Sequence, residues 1–400
     1  MFKTTTSRLA FVLLGYITLI ILLMTWNPFY FAIPEQIHFK LHTDLDDALA
    51  NVMLFMPVGF LYRLTTQKRG AWLVGAAISA SIEMVQLFIP ARTSSLMDIL
   101  NNTLGAVLGA VLYNLISSRV ALTPNMAGRL RLETPLMSFV YLLIPLLWIN
   151  SVAQREASDR WFLSLMIGMC GAIVFNDVSR HWFDSTGMRL TLYASLSAGA
   201  WFLFGAGINL LHPFLLIRAL LVVVLLTAFL TVLPRRFPDR RFERATLRRL
   251  LPVFVVYIIL LALWSPGRPF VGWHGMIGLT SRIEDTSMQA LYSRIEYLVA
   301  FSILGYLTAE WRGRAELSVA QDLPGLLAVT AASAIVLELI AGFQAGEGAS
   351  LLRFVLVVAS ALYGGLIYHA LRDHVRFLLR HTMDASSLRD GRSPAVQSDH

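Results

Sequence analysis

With 400 residues, 56% hydrophobic and only 14% charged, the chain has too little charge to cover a water-soluble globule, for which about 25% is usual. Its net charge of +8 would suit nucleic acid in a soluble protein. In a chain of mean hydropathy +0.63 it suits basic loops on the cytoplasmic side of a membrane, and no nucleic-acid partner is expected. The single cysteine, Cys170, excludes a disulfide framework and a thiolate metal site.

Twelve apolar stretches are long enough, or nearly so, to cross hydrocarbon as helices. They lie near 9–26, 47–63, 71–89, 97–116, 136–150, 161–178, 190–210, 214–233, 251–265, 292–309, 324–342 and 352–371. The fifth and ninth are the shortest and least secure. Lys3 and Arg8 precede the first stretch as in a signal peptide, but no small-x-small cleavage pattern follows, so an uncleaved span is expected. Placing the N-terminus inside puts Lys and Arg on the cytoplasmic side by more than two to one, with RRFPDRRFERATLRR (Arg235 to Arg249) as the main anchor. Both termini are then cytoplasmic. The fold expected is an all-α, multi-pass membrane protein of about twelve spans, with membrane lipids as its first partners.

Polar residues within the apolar stretches are few and grouped. Asp47 and Asn51 are four apart and share a helix face, which Phe55 and Gly59 continue; Pro57 removes a backbone donor from the same span. Glu83 and Gln86, three apart, end the third span, and Arg92 follows in a tight connection. Asp98 and Asn102 open the fourth span, with Gly105 and Gly109 behind them as a small-xxx-small pattern. Spans two and four run inward and span three outward, so the seven polar residues converge at the outer leaflet. Acids at that depth are costly unless paired or hydrated. Helix capping by Ser94, Ser95 and Asp98, and helix-to-helix bonding by Asn51 and Asn102, are the plainer readings of the same residues.

This set of residues resembles the VanZ-like family of bacterial membrane proteins. The family pattern is an Asn followed by Phe-x-Pro-x-Gly, then Ser-x-x-x-Glu-x-x-Gln, a short Arg-containing turn, and Asp-x-x-x-Asn-x-x-Gly. It stands here as Asn51, Phe55, Pro57 and Gly59; Ser79, Glu83 and Gln86; Arg92; and Asp98, Asn102 and Gly105. The resemblance covers about residues 40–117. The family was named for resistance to the glycopeptide teicoplanin, so the resemblance implies the cell envelope and the bacterial plasma membrane more firmly than it implies a reaction.

The last three spans echo spans two to four. A shift of 255 lays Glu338 on Glu83, Phe343 on Phe88, Ser350 on Ser95 and Gly364 on Gly109, while Arg92 becomes Glu347, Asp98 becomes Arg353 and Asn102 becomes Val357. Phe301 and Gly305 keep the spacing of Phe55 and Gly59. A degenerate parallel repeat is expected, its packing groups kept and its polar groups lost or inverted. The chain divides accordingly into 1–40 (first span and outer loop), 41–117 (VanZ-like three-helix unit), 118–266 (middle bundle), 267–372 (second copy) and 373–400 (disordered cytoplasmic tail). Between the copies, Asn176, Asp177, Arg180, His181 and Trp182 sit at an inner boundary as cap and anchor. An outer loop carries Trp273, His274, Arg282, Glu284 and Asp285.

No paired-His pattern, P-loop or nucleophile elbow occurs in the sequence, and neither metal nor cofactor is expected. The leading functional expectation is action on, or binding of, a lipid-linked glycan or cell-wall precursor at the outer leaflet. Glu83 and Asp98 are then the general acid/base candidates, and Asp47, Asn51, Gln86, Arg92 and Asn102 the binding groups. A transporter or flippase of an envelope lipid or glycan, and a non-catalytic scaffold, are the alternatives. Polar groups thin out below Asn51 and Asn102, which counts against transport.

Overall fold

In a computed structural model the chain is described over residues 3–26, 30–33, 39–40, 44–66, 68–90, 92–119, 124–154, 160–182, 187–207, 213–233, 242–263, 272–273, 275–276, 288–312, 317–343 and 348–389. Of the residues singled out above, Arg235, His274, Arg282, Glu284, Asp285 and Glu347, and the tail beyond Arg389, lie outside these.

Twelve helices make up almost all of the described residues. They are α1 (Lys3–Thr25), α2 (Leu45–Thr66), α3 (Ala71–Gln86), α4 (Leu96–Arg119), α5 (Pro124–Ala153), α6 (Trp161–Trp182), α7 (Met188–Ala206), α8 (Pro213–Val232), α9 (Phe242–Leu263), α10 (Met288–Arg312), α11 (Val319–Gly342) and α12 (Leu351–Arg389). Four two-residue strands, β1 (Phe39–Lys40), β2 (Ser94–Ser95), β3 (Gly275–Met276) and β4 (Ala349–Ser350), form two parallel pairs, β1 with β2 and β3 with β4. Eight helices (α2, α4, α5, α6, α8, α9, α11 and α12) are long and apolar enough to cross a membrane by length and composition. The protein is a multi-pass, all-α membrane protein.

The two spans expected to be weakest are not short. α5 has 30 residues and α9 has 22; polar residues at their N-terminal ends hid how far the helices extend. The short apolar stretches are instead Ala10–Thr25 and Ala71–Gln86. Helix α12 continues to Arg389, well into the stretch from residue 373 expected to be a tail, since neither proline nor glycine interrupts it between Gly365 and Arg389.

Burial is graded around α5 and α6, whose spanning segments are 78% and 72% buried, against 17% for α8 and 22% for α4. The outer helices expose large apolar side chains, among them Leu100, Leu104 and Val111 on α4 and Leu221, Leu225 and Phe229 on α8. Exposed leucine and valine over whole helix faces suit hydrocarbon as the surrounding solvent.

Helices α2 and α4 touch backbone to backbone. A methyl group added at Gly59 would run into the Ala106 carbonyl, one at Gly105 into that of Val52, and one at Gly109 into that of Met56. α10 and α12 meet in the same way: Gly305 lies against the Ala361 carbonyl and Gly364 against that of Ser302. Close approach of this kind replaces the hydrophobic drive that lipid cannot supply.

Arg180 on α6 reaches across to the C-terminal end of α8, where its Nη2 donates to the carbonyls of Leu230, Thr231 and Leu233 at 2.6, 2.7 and 2.8 Å. A cation there satisfies carbonyls left without an intrahelical partner and complements the negative end of the helix.

Candidate functional site

The start of α2, the end of α3 and the start of α4 lie together, as the topology requires, and the C-terminal end of α1 joins them. The turn between α3 and α4 is folded back on α3. Ser94 Oγ donates to the Glu83 carbonyl at 2.8 Å, and the Ser95 N–H donates to Glu83 Oε2 at 2.7 Å. Ser95 Oγ accepts from the Asp98 N–H at 3.3 Å and so caps the first turn of α4. Ser95 is paired with Lys40 through the β1–β2 register.

Glu83 is therefore a fixed carboxylate, 5% exposed, pinned by one backbone donor, with Asp98 near enough to act on it electrostatically. Asp98 itself is half-buried, as are Asp47, Asn51 and Arg92. Gln86 and Arg92 turn toward α1. The Gln86 Nε2 donates to the Thr25 carbonyl at 3.0 Å, and the Arg92 Nη2 to the Met24 carbonyl at 3.3 Å. Both satisfy carbonyls at the end of α1, a use that sequence spacing does not disclose. One turn deeper, Asn102 Nδ2 donates to Ser79 Oγ at 2.8 Å and ties α4 to α3. The structure thus gathers Glu83, Gln86, Arg92 and Asp98 around one helix end. It places Asp47 and Asn51 on the neighbouring α2 and sinks Asn102 between helices.

The helices that build this arrangement, α1 to α4, correspond to a match of residues 3–117 to the VanZ/LLP1 family model. These four helices are a VanZ-like unit. The match takes in α1, whose last carbonyls accept from Gln86 and Arg92. No curated protein and no solved structure matches the chain. Among the described residues no group of three or more His, Cys, Asp or Glu side chains is placed to hold a metal ion.

Chemically, the VanZ-like unit presents two acids and one guanidinium at a helix end, with the Glu83 carboxylate held by the Ser95 N–H. An open apolar groove of about 500 Å³ lies beside it, lined by Trp26, Phe31, Ala32, Ile33, Val85 and Phe88. The Ala32 N–H donates to the Phe88 carbonyl at 2.7 Å, which fixes the chain along its edge.

Two further polar groups escaped the sequence reading. Glu296 on α10 is fully buried and takes bonds from Arg160 Nη2, Asn150 Nδ2 and the Tyr257 hydroxyl, the last at 2.7 Å. Asp322 on α11 is also fully buried, between Arg312 Nε at 2.8 Å and His369 Nε2 at 3.0 Å. An acid within an otherwise apolar run was the available signal for Glu296.

Proposed function

We propose that this VanZ-like protein sits in a bacterial plasma membrane and binds or acts on a lipid-linked glycan or cell-wall precursor at the outer leaflet. The observation that carries the reading is the Glu83–Asp98 pair beside Arg92 at one end of the unit. The positive-inside count assigns that end to the outer side, with both termini cytoplasmic. The apolar groove next to the pair gives a lipid chain a place to lie, and the polar cluster gives a head group partners. Glu83 or Asp98 then serves as general acid or base, and Arg92 as the partner of a phosphate or carboxylate.

The reading includes twelve spans and a parallel repeat of a three-helix unit, α2–α4 echoed by α10–α12. Support for the repeat comes from matched contacts. Each unit opens its last helix from one strand of a parallel pair, Ser94 and Ser95 standing at the shift of 255 from Ala349 and Ser350. The edge-on aromatic pair Phe60–Tyr113 has its counterpart in Tyr306–Tyr368. Glu83 bonded to the Ser95 N–H has its counterpart in Glu338 bonded to the Ser350 N–H, each at 2.7 Å.

The test is replacement, one at a time, by Glu83→Gln, Arg92→Ala and Asp98→Asn, with membrane levels and glycopeptide susceptibility recorded. Normal levels with altered susceptibility are expected for Glu83 and Asp98. Normal levels and unchanged susceptibility for all three would overturn the site. The repeat favours a second reading, transport of the same substrate between two related units. Movement of a labelled lipid-linked glycan across reconstituted vesicles, abolished by Glu83→Gln, would decide for it.

A further inference from the structure

Helix α10 carries a buried acid toward each end and buried hydroxyls between them. Glu296, Ser302, Tyr306 and Glu310 are each no more than 3% exposed, and α10 packs along α5, the most buried of the spanning segments. At the first level, Asn150 of α5 and Tyr257 of α9 both donate to Glu296 Oε1, and Arg160 bonds to Oε2. At the second, the Tyr16 hydroxyl from α1 meets Ser302 Oγ at 2.8 Å, and Tyr141 of α5 lies near enough to Tyr16 to act on it electrostatically. At the third, Ser138 of α5 is hydrogen-bonded to Tyr306, and Glu310 stands near the same phenol. As α10 runs from Glu296 to Tyr306, the polar groups of α5 therefore run back from Asn150 to Ser138, as on two antiparallel helices.

These levels reach through most of a membrane. At 1.5 Å per residue, the stretch from Glu296 to Glu310 rises about 21 Å, against about 30 Å of hydrocarbon. Helix-to-helix bonding explains the ion pair but not the whole file. The Tyr141 hydroxyl is buried with no hydrogen-bond partner among the described residues, and so are Asn150 Oδ1 and Arg160 Nε. An unpaired buried polar group destabilises, so packing alone gives no reason to keep one. Buried groups of this kind are bridged by ordered water in folded proteins. The widest step, about 9 Å between Glu296 and Ser302, falls beside Pro145 of α5. Proline has no N–H to give the Tyr141 carbonyl, which leaves one more acceptor between the levels without its usual helical donor.

We infer that the α5–α10 interface is a proton path, with Glu296 and Glu310 as its terminal acids and the hydroxyls of Tyr16, Tyr141, Ser302 and Tyr306 as relays. A hydroxyl both donates and accepts, so each relay passes its own proton on as it receives another and is left uncharged. A proton taken up by one terminal carboxylate is matched by one released from the other. The path lies apart from the polar groups of the VanZ-like unit. It rests on α10 crossing the membrane, which is part of the twelve-span reading proposed above, and not on the identity of the envelope substrate.

The experiment uses the full-length protein in phosphatidylglycerol and phosphatidylcholine liposomes loaded with potassium and the pH dye pyranine. Valinomycin then sets an inside-negative potential, and acidification of the lumen is followed. The unmodified protein is expected to acidify the lumen several-fold faster than protein-free liposomes. Tyr141→Phe removes only a hydroxyl that no hydrogen bond holds, so it is expected to keep the parental melting temperature and to lose most of the flux. Tyr193→Phe, at an exposed tyrosine of α7, is expected to change neither. A parent no faster than empty liposomes, or undiminished flux in Tyr141→Phe, overturns the path, and an equal loss in Tyr193→Phe overturns its location. If Tyr141→Phe does not fold, Tyr16→Phe takes its place with the same expectation for flux. Trp273→Cys and Trp311→Cys, at exposed positions before α10 and at its end, test the span separately with an impermeant maleimide. Labelling from opposite faces keeps α10 across the membrane whatever the flux, so a missing flux then counts against the path alone. Labelling of both from one face overturns the span and the path with it.

Discussion

Glu296 and Arg160 form an ion pair with both side chains withdrawn from solvent, 0% and 2% exposed. They come from distant parts of the chain and join α10 to the start of α6, with Asn150 and Tyr257 completing the shell around the carboxylate. Removing one partner leaves a buried charge without compensation. Arg160→Met or Glu296→Leu alone is expected to lower stability by about 3–5 kcal/mol, and the two together by less than either. Thermal melting of the purified protein in one detergent measures the three variants side by side. A double change costing as much as the sum would contradict the pairing.

Glycine at positions 59 and 305 is a steric requirement. Gly59→Ala pushes a methyl into the Ala106 carbonyl and Gly305→Ala into that of Ala361, so each is expected to cost about 1–3 kcal/mol. Gly272, with nothing near its would-be methyl, accepts alanine at little cost. Fluorescence-detected size exclusion after a heating series ranks the three.

The cap supplied by Arg180 ends α8 with three bonds. Arg180→Ala is expected to destabilise by about 1–2 kcal/mol without altering glycopeptide susceptibility. Changed susceptibility at unchanged stability would contradict a purely capping role for Arg180.

The two units should differ in function. Replacing Glu338 and Arg353 together, by Gln and Met, removes a pair already closed on itself. Glycopeptide susceptibility is expected to stay at the parental level, where Glu83→Gln changes it. Equal effects from both would remove the distinction between the units.

Orientation is open to direct chemical test. The only cysteine, Cys170, is buried, so the parent gives a low background with a membrane-impermeant maleimide. Arg92→Cys is expected to label from the outer side of intact cells. Labelling only after the cytoplasmic face is opened would invert the topology and move the site to the other leaflet.

Much of this was readable in advance because it depends on short spacings. Asp47 with Asn51, Glu83 with Gln86 and Asp98 with Asn102 declare helix faces, and the alternation of spans brings their ends together. Partners far apart in sequence were not readable. Nothing near Gln86 or Arg92 indicates that they bond to the last carbonyls of α1, and nothing near Glu296 names Arg160. The inverted charge at Arg353 was visible, but its meaning was not, because a fork around Glu338 exists only once both side chains are placed. The helical continuation of α12 to Arg389 was likewise hidden, since a polar, Ser- and Asp-bearing stretch carries no apolar stripe to announce a helix.

The glycine contacts between α2 and α4, and between α10 and α12, have a mechanical consequence. Helices locked main chain to main chain cannot slide without breaking steric register, so each pair moves as one rigid blade. The second pair is tied to α1 by two bonds, the Tyr16 hydroxyl with Ser302 Oγ at 2.8 Å and the Tyr363 hydroxyl donating to the Val12 carbonyl at 3.1 Å. Since α1 packs against α2 as well as against α12, a movement of one pair relative to the other is carried through α1.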